Sequence, residues 1–463
     1  MSKYIHDKRT ENTIPITAVL INKYKQWLTN QDDTTKNTAK LYSFGTKVGG
    51  SLCLLNDSGK LKQVICIVSD AYNFHDFATL PHDLPIGQYH IDATDDTLVA
   101  AGITGWGMGA YIFDRYKKPA KELATLVVAN LHSKYLRAYE TVNATTLVRD
   151  LINTPAEDMG PTELAVATAA IAKQHGAEFN EVVGEELLQQ NFPAVHLIGR
   201  ASFKQPRVIT LDWGKASDPL ICLVGKGVCF DTGGNNVKPA SSMRDMKKDM
   251  GGAAHVLGLA QMIMRLKLPV QLKVIISAVE NAIASNAHRQ GDIVKTRKGL
   301  TVEIGHTDAE GRMILSDALT YACEFKPKLI IDFATLTGAA RAALGAELPA
   351  VFSNEICFNT EIMACANEVF DPLWSMPLYQ PYKRQIVPKI ADLRNTGSVP
   401  SMAGCITAAL FLQEFVDKDI NWVHIDTFGW SHGRRGHAQG GDALGMSAMY
   451  NWISKQFGGS NKQ

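Results

Sequence analysis

Short apolar runs and helical spacings divide this chain into two stretches of different texture. Before about residue 140, apolar runs at residues 16–21, 50–55 and 64–69 read as strands. From Pro119 to about Ala138, proline opens a stretch in which Leu123, Leu126, Val127 and Leu131 fall at helical spacing, which predicts a helix. Gly105-Trp-Gly-Met-Gly109 is rich in glycine, but no phosphate-loop pattern follows it, and it reads as a turn. No chemistry stands out in this part, which reads as a compact α/β unit.

The texture changes between Thr141 and Pro161, where Val148-Arg-Asp-Leu-Ile-Asn-Thr-Pro155 ends a helical segment and Gly160-Pro161 punctuates the chain. This places a domain boundary near residue 145. Beyond it, strands at residues 220–224, 271–278 and 329–333 alternate with helices at residues 252–266 and 315–325. The first of these helices carries Val256, Leu257, Leu259, Ala260 and Ile263 on its apolar side. Such alternation predicts a mainly parallel central sheet with helices on both faces. Residues 433–445 read as loop. The fold class expected is α/β in two domains, a smaller one over residues 1–145 and a larger one over residues 146–463.

Composition narrows this little. The chain has 463 residues, 46% of them hydrophobic and 20% charged, which excludes a mainly disordered chain. Forty-seven basic residues face 46 acidic ones, so no global charge draws the chain to nucleic acid or to an anionic membrane. The polar start Met-Ser-Lys-Tyr-Ile-His-Asp-Lys does not read as a secretory signal, and no run of 18 uncharged apolar residues predicts a membrane span. The eight cysteines include no Cys-x-x-Cys pair and mostly lie in apolar surroundings, as reduced, buried thiols in a cytoplasmic protein do.

Ligands of open α/β sheets bind at the carboxyl ends of strands. One such junction reads Val224-Gly-Lys226-Gly-Val-Cys-Phe-Asp231-Thr-Gly-Gly234, with Lys238 seven residues beyond Asp231. It lacks the Gly-Lys-Ser/Thr of a Walker loop. Next, Met246-Lys-Lys-Asp249-Met-Gly-Gly252 sets an aspartate before a helix, and His306-Thr-Asp308-Ala-Glu310-Gly-Arg312 enters another. Asp231, Asp249, Asp308 and Glu310, if brought together, would repel one another unless cations neutralised them. Oxygen-rich sets suit hard or borderline divalent ions, and two such ions about 3.5–4 Å apart are a common hydrolytic arrangement. Spacing leaves open that these are solvated loop carboxylates, some of them capping helices.

These residues carry a resemblance. Asp308-Ala-Glu-Gly-Arg312 after His306-Thr307 is similar to the Asn-Thr-Asp-Ala-Glu-Gly-Arg signature of the leucyl (cytosol) aminopeptidase family. Gly225–Gly234 resembles that family's first metal loop, with matching spacings from Lys226 to Asp231, Lys238 and Asp249. Asn153-Thr-Pro155 and Ala334-Thr-Leu-Thr-Gly338 match as well, so the resemblance spans roughly residues 145–463.

The resemblance implies a cytoplasmic homohexamer of two-domain subunits that removes N-terminal residues from peptides, with broad, leucine-like preference. The N-terminal domain would serve assembly or regulation and end in a linker helix. Two divalent ions, zinc or manganese, would be bridged by Asp231 and Glu310. Asp308 would complete one site, and Lys226 and Asp249 the tighter one. Lysine ligates a metal only as the neutral amine, a form that a neighbouring dication favours. The substrate's free α-amine would bind one ion, and water acidified by both would attack the scissile carbonyl. Lys238 would stabilise the oxyanion. Arg312 would hold a bicarbonate that accepts the water's proton, aided by the N–H groups of a helix starting near Met313; a salt bridge to a neighbouring carboxylate is the other reading of Arg312.

Five positions depart from the pattern or bear on specificity. His306 stands where the family has asparagine, either as an extra donor to the site or as a tolerated replacement. Met246, Thr335 and Gly338 would line the pocket for the N-terminal side chain, and Phe428 stands where a smaller residue is usual. If Phe428 lines that pocket rather than a core, large side chains fit it less well. A binding or DNA-regulatory scaffold within the same family is the alternative function. The intact set Lys226, Asp231, Lys238, Asp249, Asp308, Glu310 and Arg312 argues against it. A phosphatase or deacetylase with two metals is opposed by the metal-binding lysine and the Asp-Ala-Glu-Gly-Arg run.

Overall fold

Apolar runs that lack a polar alternation become strands covered on both faces. In the computed structural model, which describes residues 3–8, 12–69, 73–397, 402–434 and 436–458, they form two main sheets in two units. One unit comprises Met1–Thr146 with Ser431–Gln439, the other Leu147–Trp430 with Gly440–Gln463. The α/β class with a mainly parallel central sheet is what the structure shows.

The first unit holds a six-stranded sheet in the order Ile5–His6, Thr125–Val127, Gln88–Ile91, Ile14–Leu20, Leu61–Val68, Ser51–Leu55. All neighbours are parallel except the last pair. The three expected strands are present. The helix expected from Pro119 to Ala138 is not. Thr125–Val127 is an interior strand, and the helix begins at Leu136 and runs to Asn153. Leu123, Ala124, Leu126, Val127 and Val128 are all buried. A short segment covered on both faces gives an apolar run whose spacing imitates a helix.

The turn expected at Gly105–Gly109 is also overturned. These residues end a helix, Asp96–Gly109, whose N-cap Asp95 side chain accepts from the Thr97 N–H. A Cβ on Gly105 would lie 2.0 Å from the Phe74 carbonyl oxygen, and one on Gly109 1.7 Å from that of Ala78. The glycines let the helix lie directly against the backbone of residues 74–78.

The second unit is built on an eight-stranded sheet. Its order is Trp374–Ser375, Ala350–Ser353, Asn421–Asp426, Leu329–Ala334, Leu220–Asp231, Gln271–Asn281, Arg207–Trp213, Glu178–Val183. Four adjacent strands, from Asn421–Asp426 to Gln271–Asn281, are parallel. From Leu220–Asp231 the chain crosses through helix Gly251–Arg265 to Gln271–Asn281. It then returns through helix Glu310–Glu324 to Leu329–Ala334 on the other side. Strand order thus reverses at Leu220–Asp231, the point where open α/β sheets form a ligand crevice.

Right-handed crossovers in opposite directions put these two helices on opposite faces. Helix Gly251–Arg265 packs with Pro161–His175 and Met446–Phe457, whereas Glu310–Glu324 packs with Pro193–Gly199 and Gly404–Gln413. Two groups of buried polar side chains inside this unit pair with one another. Arg149 donates to Asp442 at 3.1 and 3.0 Å, and Asp332 accepts from Trp422 Nε1 at 2.7 Å while lying 2.6 Å from His424 Nδ1. Residues 433–445, expected as loop, hold only the two-residue strand Gly440–Gly441; residue 435 lies outside the described set. No helix among the described residues is long and apolar enough to cross a membrane.

Helix Gly251–Arg265 reaches the sheet because its second residue is glycine. A Cβ on Gly252 would lie 2.1 Å from the Phe333 carbonyl oxygen and 2.9 Å from the Lys226 nitrogen, both backbone atoms. Gly252→Ala is therefore expected to destabilise the protein by about 1–3 kcal/mol, the usual range for overpacking. A thermal melt reads this as a lowered Tm, and a wild-type Tm would show that the contact is not tight.

Candidate metal centre and active site

The carboxyl ends of the four parallel strands carry Asp231, Asn281, Ala334 and Asp426. Asp231 ends the strand that also contains Lys226. A short 3-10 turn, Met246–Met250, delivers Asp249 to the head of helix Gly251–Arg265. Glu310 and Arg312 occupy the first turn of helix Glu310–Glu324, with Asp308 just before it.

Two lysines tie these carboxylates together. Lys226 Nζ lies 2.6 Å from Asp249 Oδ2 and 3.1 Å from Glu310 Oε1, and it donates to the Thr335 carbonyl at 2.9 Å. Lys238 Nζ pairs with Asp231 Oδ2 at 2.9 Å and also with Asp308. Ligand atoms of Asp231, Asp308 and Glu310 lie within 4.8 Å of one another. The six residues singled out from the two loops and the helix entry thus form one cluster.

Gly311 is the steric condition for it. A Cβ there would fall 2.3 Å from Lys226 Cε and 2.8 Å from Cδ, so the lysine stem occupies the place of a side chain. This is a physical reason for glycine between Glu310 and Arg312.

The charges strain against one another. Burial, then Asp231, pushes the carboxyls of Asp308 and Glu310 up to about 7. Burial also raises Asp249, against the pull of Lys226. At Asp231 burial pushes the same way, but Lys238 and Lys226 outweigh it and hold the group below its ordinary value. Burial disfavours the charge on both lysines, yet their carboxylate neighbours hold both above the usual lysine range. With only protein charges present, Lys226 is therefore an ammonium rather than the neutral amine that metal ligation requires. A divalent ion would have to displace that proton before Lys226 could ligate it.

The donor set fits divalent cations. It offers carboxylate oxygens in excess of the fixed positive charge, and Glu310 Oε2 is buried without a hydrogen-bond partner. Arg312 is buried as well, its Nε has no partner, and it makes no ion pair among the described residues. The salt-bridge reading of Arg312 does not hold. Burial lowers this guanidinium to about 10, against Glu310 and Asp426. A buried cation left unpaired is a place for an anion.

Neighbouring polar residues, which sequence reading did not single out, fix the loops. Asn281 Nδ2 donates to Asp231 Oδ1 at 2.8 Å and to the Thr307 carbonyl at 3.1 Å. Thr307 Oγ1 donates to the Gly233 carbonyl at 2.6 Å, and its N–H donates to Asn236 Oδ1 at 2.8 Å. Asn395 joins both sides of His306, accepting from the Gly305 N–H at 2.7 Å and donating to the His306 carbonyl at 2.9 Å. The one signal in the sequence was a polar residue, Asn281, closing an apolar strand. His306 is exposed, and its Nδ1 accepts from the Asp308 N–H at 3.1 Å. Its ring acts as an acceptor that shapes the loop, as an asparagine side chain can, and not as a donor to the site.

The expected pocket residues are placed variously. Thr335 Oγ1 donates to Asp249 Oδ1 at 2.8 Å and so positions a carboxylate. Met246 is half-buried, and Gly338 is exposed with open space where a side chain would be. Phe428 is half-buried, with the Lys248 ammonium 4.6 Å and the Arg341 guanidinium 4.2 Å from its ring centre. Asp426 accepts from the N–H groups of Leu336 and Thr337 and from Thr337 Oγ1, which shapes the segment between Thr335 and Gly338.

A sheet crevice lined by paired lysines and clustered carboxylates is the architecture of a metal-dependent hydrolase. The family model "Cytosol aminopeptidase family, catalytic domain" matches residues 146–450, and "M17 aminopeptidase, N-terminal domain" matches residues 14–129. The chain belongs to the cytosol aminopeptidase family and is a metal-dependent aminopeptidase. It is 38% identical over 372 residues to a probable cytosol aminopeptidase of Syntrophotalea carbinolica, covering 76% of this chain and 74% of the relative. Its fold superposes on the crystal structure of cytosol aminopeptidase from Coxiella burnetii with a TM-score of 0.93 at 42% identity, covering 98% of this chain and 99% of the other. The bottromycin maturation enzyme BotP, in complex with Mn, matches with a TM-score of 0.86 at 26% identity over 96% and 99% of the two chains.

Gly311→Ala tests the packing of Lys226. The added methyl displaces the lysine from Asp249 and Glu310, so metal content and kcat are both expected to fall while circular dichroism stays native. Wild-type metal content and rate would show that the stem can shift without consequence.

Proposed function

We propose that this chain releases N-terminal residues from peptides with two divalent ions, zinc or manganese, held by Lys226, Asp231, Asp249, Asp308 and Glu310. The observation that carries this is the convergence of Asp231, Asp308 and Glu310 within 4.8 Å, beside a buried lysine that bridges Glu310 and Asp249. Asp231 and Glu310 would serve both ions, Asp308 would complete one site, and Lys226 and Asp249 would complete the other. Bound there, the ions supply an acidified water and Lewis-acid contacts for the scissile carbonyl and the free α-amine, which restricts the enzyme to chain ends.

The protein side chains do the rest. Lys238, held charged by Asp231, releases its grip on Asp308 and turns its ammonium to the oxyanion that develops on the carbonyl. Arg312, buried and unpaired among the described residues, holds a bicarbonate whose oxygen accepts the proton lost by the attacking water. The opening N–H groups of helix Glu310–Glu324 support that anion. Met246, Thr335, Gly338 and Phe428 border the place of the N-terminal side chain, with preference broad and leucine-like. The reading extends to a cytoplasmic homohexamer, with residues 1–145 serving assembly or regulation.

Leu-p-nitroanilide with Mn²⁺ or Zn²⁺ is expected to release p-nitroaniline, a chelator to stop it, and the N-acetylated analogue to be inert. Equal cleavage of the blocked substrate would refute exopeptidase action. Lys238→Met is expected to lower kcat by about 10²–10³-fold, the usual loss for an oxyanion donor, with metal content retained. Asp308→Ala should lower metal content and rate together, and full activity in that variant would remove Asp308 from the site.

A further inference from the structure

Phe428 follows strand Asn421–Asp426 on the crevice side of the sheet, and two cations from different elements meet on it. Lys248 comes from the turn that delivers Asp249. Arg341 comes from helix Gly338–Leu344, which follows Thr335. Lys248 is buried and Arg341 exposed, so one charge lies inside the wall and the other at its rim.

Neither cation has a carboxylate partner among the described residues. The acids whose charge reaches Lys248 are engaged elsewhere. Asp249 is taken by Lys226 and Thr335, and Asp426 by Leu336 and Thr337. The face of an aromatic ring attracts a cation but does not neutralise it. Two like charges sharing one ring repel, and a buried cation without a partner is costly. A pocket meant only for aliphatic side chains has no use for either charge. The arrangement lacks one component, an anion seated against Phe428 between the two.

We propose that this component is the side-chain carboxylate of the substrate's first residue, so that the enzyme removes N-terminal glutamate and aspartate. The proposal rests on the reading of Phe428 as a wall of the pocket for that side chain. The ring narrows the pocket for a bulky aliphatic group, while Lys248 and Arg341 give a slim acidic one two charge-assisted contacts. Bond cleavage itself is the hydrolysis already described, and only the choice of first residue is new.

The test compares kcat/KM of the metal-loaded enzyme for the p-nitroanilides of Glu, Gln, Leu, Met and Ala. Glutamine is the neutral match to glutamate in shape. Glu is expected to exceed Gln by ~10-fold or more, the scale of one charge-assisted contact. That ratio should collapse toward one in Arg341→Met and in Lys248→Met, and should fall with added NaCl. Arg341 is exposed, so its variant reads the effect even if Lys248→Met fails to fold. A Glu to Gln ratio of one or less in the wild type, or a ratio unmoved in Arg341→Met, would overturn the proposal. Phe428→Ala tests the pocket wall separately from the acidic preference. Altered ratios among Leu, Met and Ala support the pocket reading on its own. Unaltered ratios would overturn that reading and the acidic preference with it.

Discussion

A lysine in the interior of a central strand is the constraint on which the site depends. Lys226 sits midway along Leu220–Asp231, fully enclosed, where an ammonium can persist only among carboxylates. Asp249 and Glu310 answer that need from opposite crossovers, one at the head of each helix that flanks the strand. Their arrival in turn sets conditions on other residues. Gly311 must be bare so that the lysine stem can pass, and Gly252 must be bare so that its helix can approach the sheet. Thr335 must present its carbonyl to the ammonium and its hydroxyl to Asp249.

Around this anchor the site is preorganised by groups that do no chemistry. Asn281 and Gly233 fix one oxygen of Asp231, while Thr307 and Asn236 lock the loop of Asp231 to the loop of Asp308. Such support holds like charges at short range, where free side chains would separate. The raised carboxyls of Asp308 and Glu310 record the resulting stress, and Lys226 and Lys238 relieve part of it. Divalent ions held there would relieve the remainder, which is why the donor set suits them.

Much of this was legible in the chain because it rests on local order. Strands and helices of the second unit appear close to where apolar runs and spacing place them. The strand at residues 220–224 extends to Asp231, because Gly225, Lys226 and Gly227 interrupt the apolar run without interrupting the ladder. In the first unit the same rules failed twice. Residues 119–138 imitate a helix because an interior strand is covered on both faces, and Gly105–Gly109 imitate a turn because a helix pressed on backbone needs glycine. In both cases the deciding contact comes from residues distant in sequence.

The order and spacing of Lys226, Asp231, Lys238, Asp249, Asp308, Glu310 and Arg312 determine by themselves which groups are available and at which strand ends they stand. Short-range geometry suffices for that, since strand, turn and helix entry are set by neighbouring residues. Tertiary structure alone decides which charges meet. It pairs Lys226 with Asp249 and Glu310, leaves Arg312 without a partner among the described residues, turns His306 into a loop acceptor, and brings Lys248 and Arg341 onto Phe428. Electrostatic partners are chosen by distance through space and by exclusion of water, and neither is written in the spacing of residues along the chain.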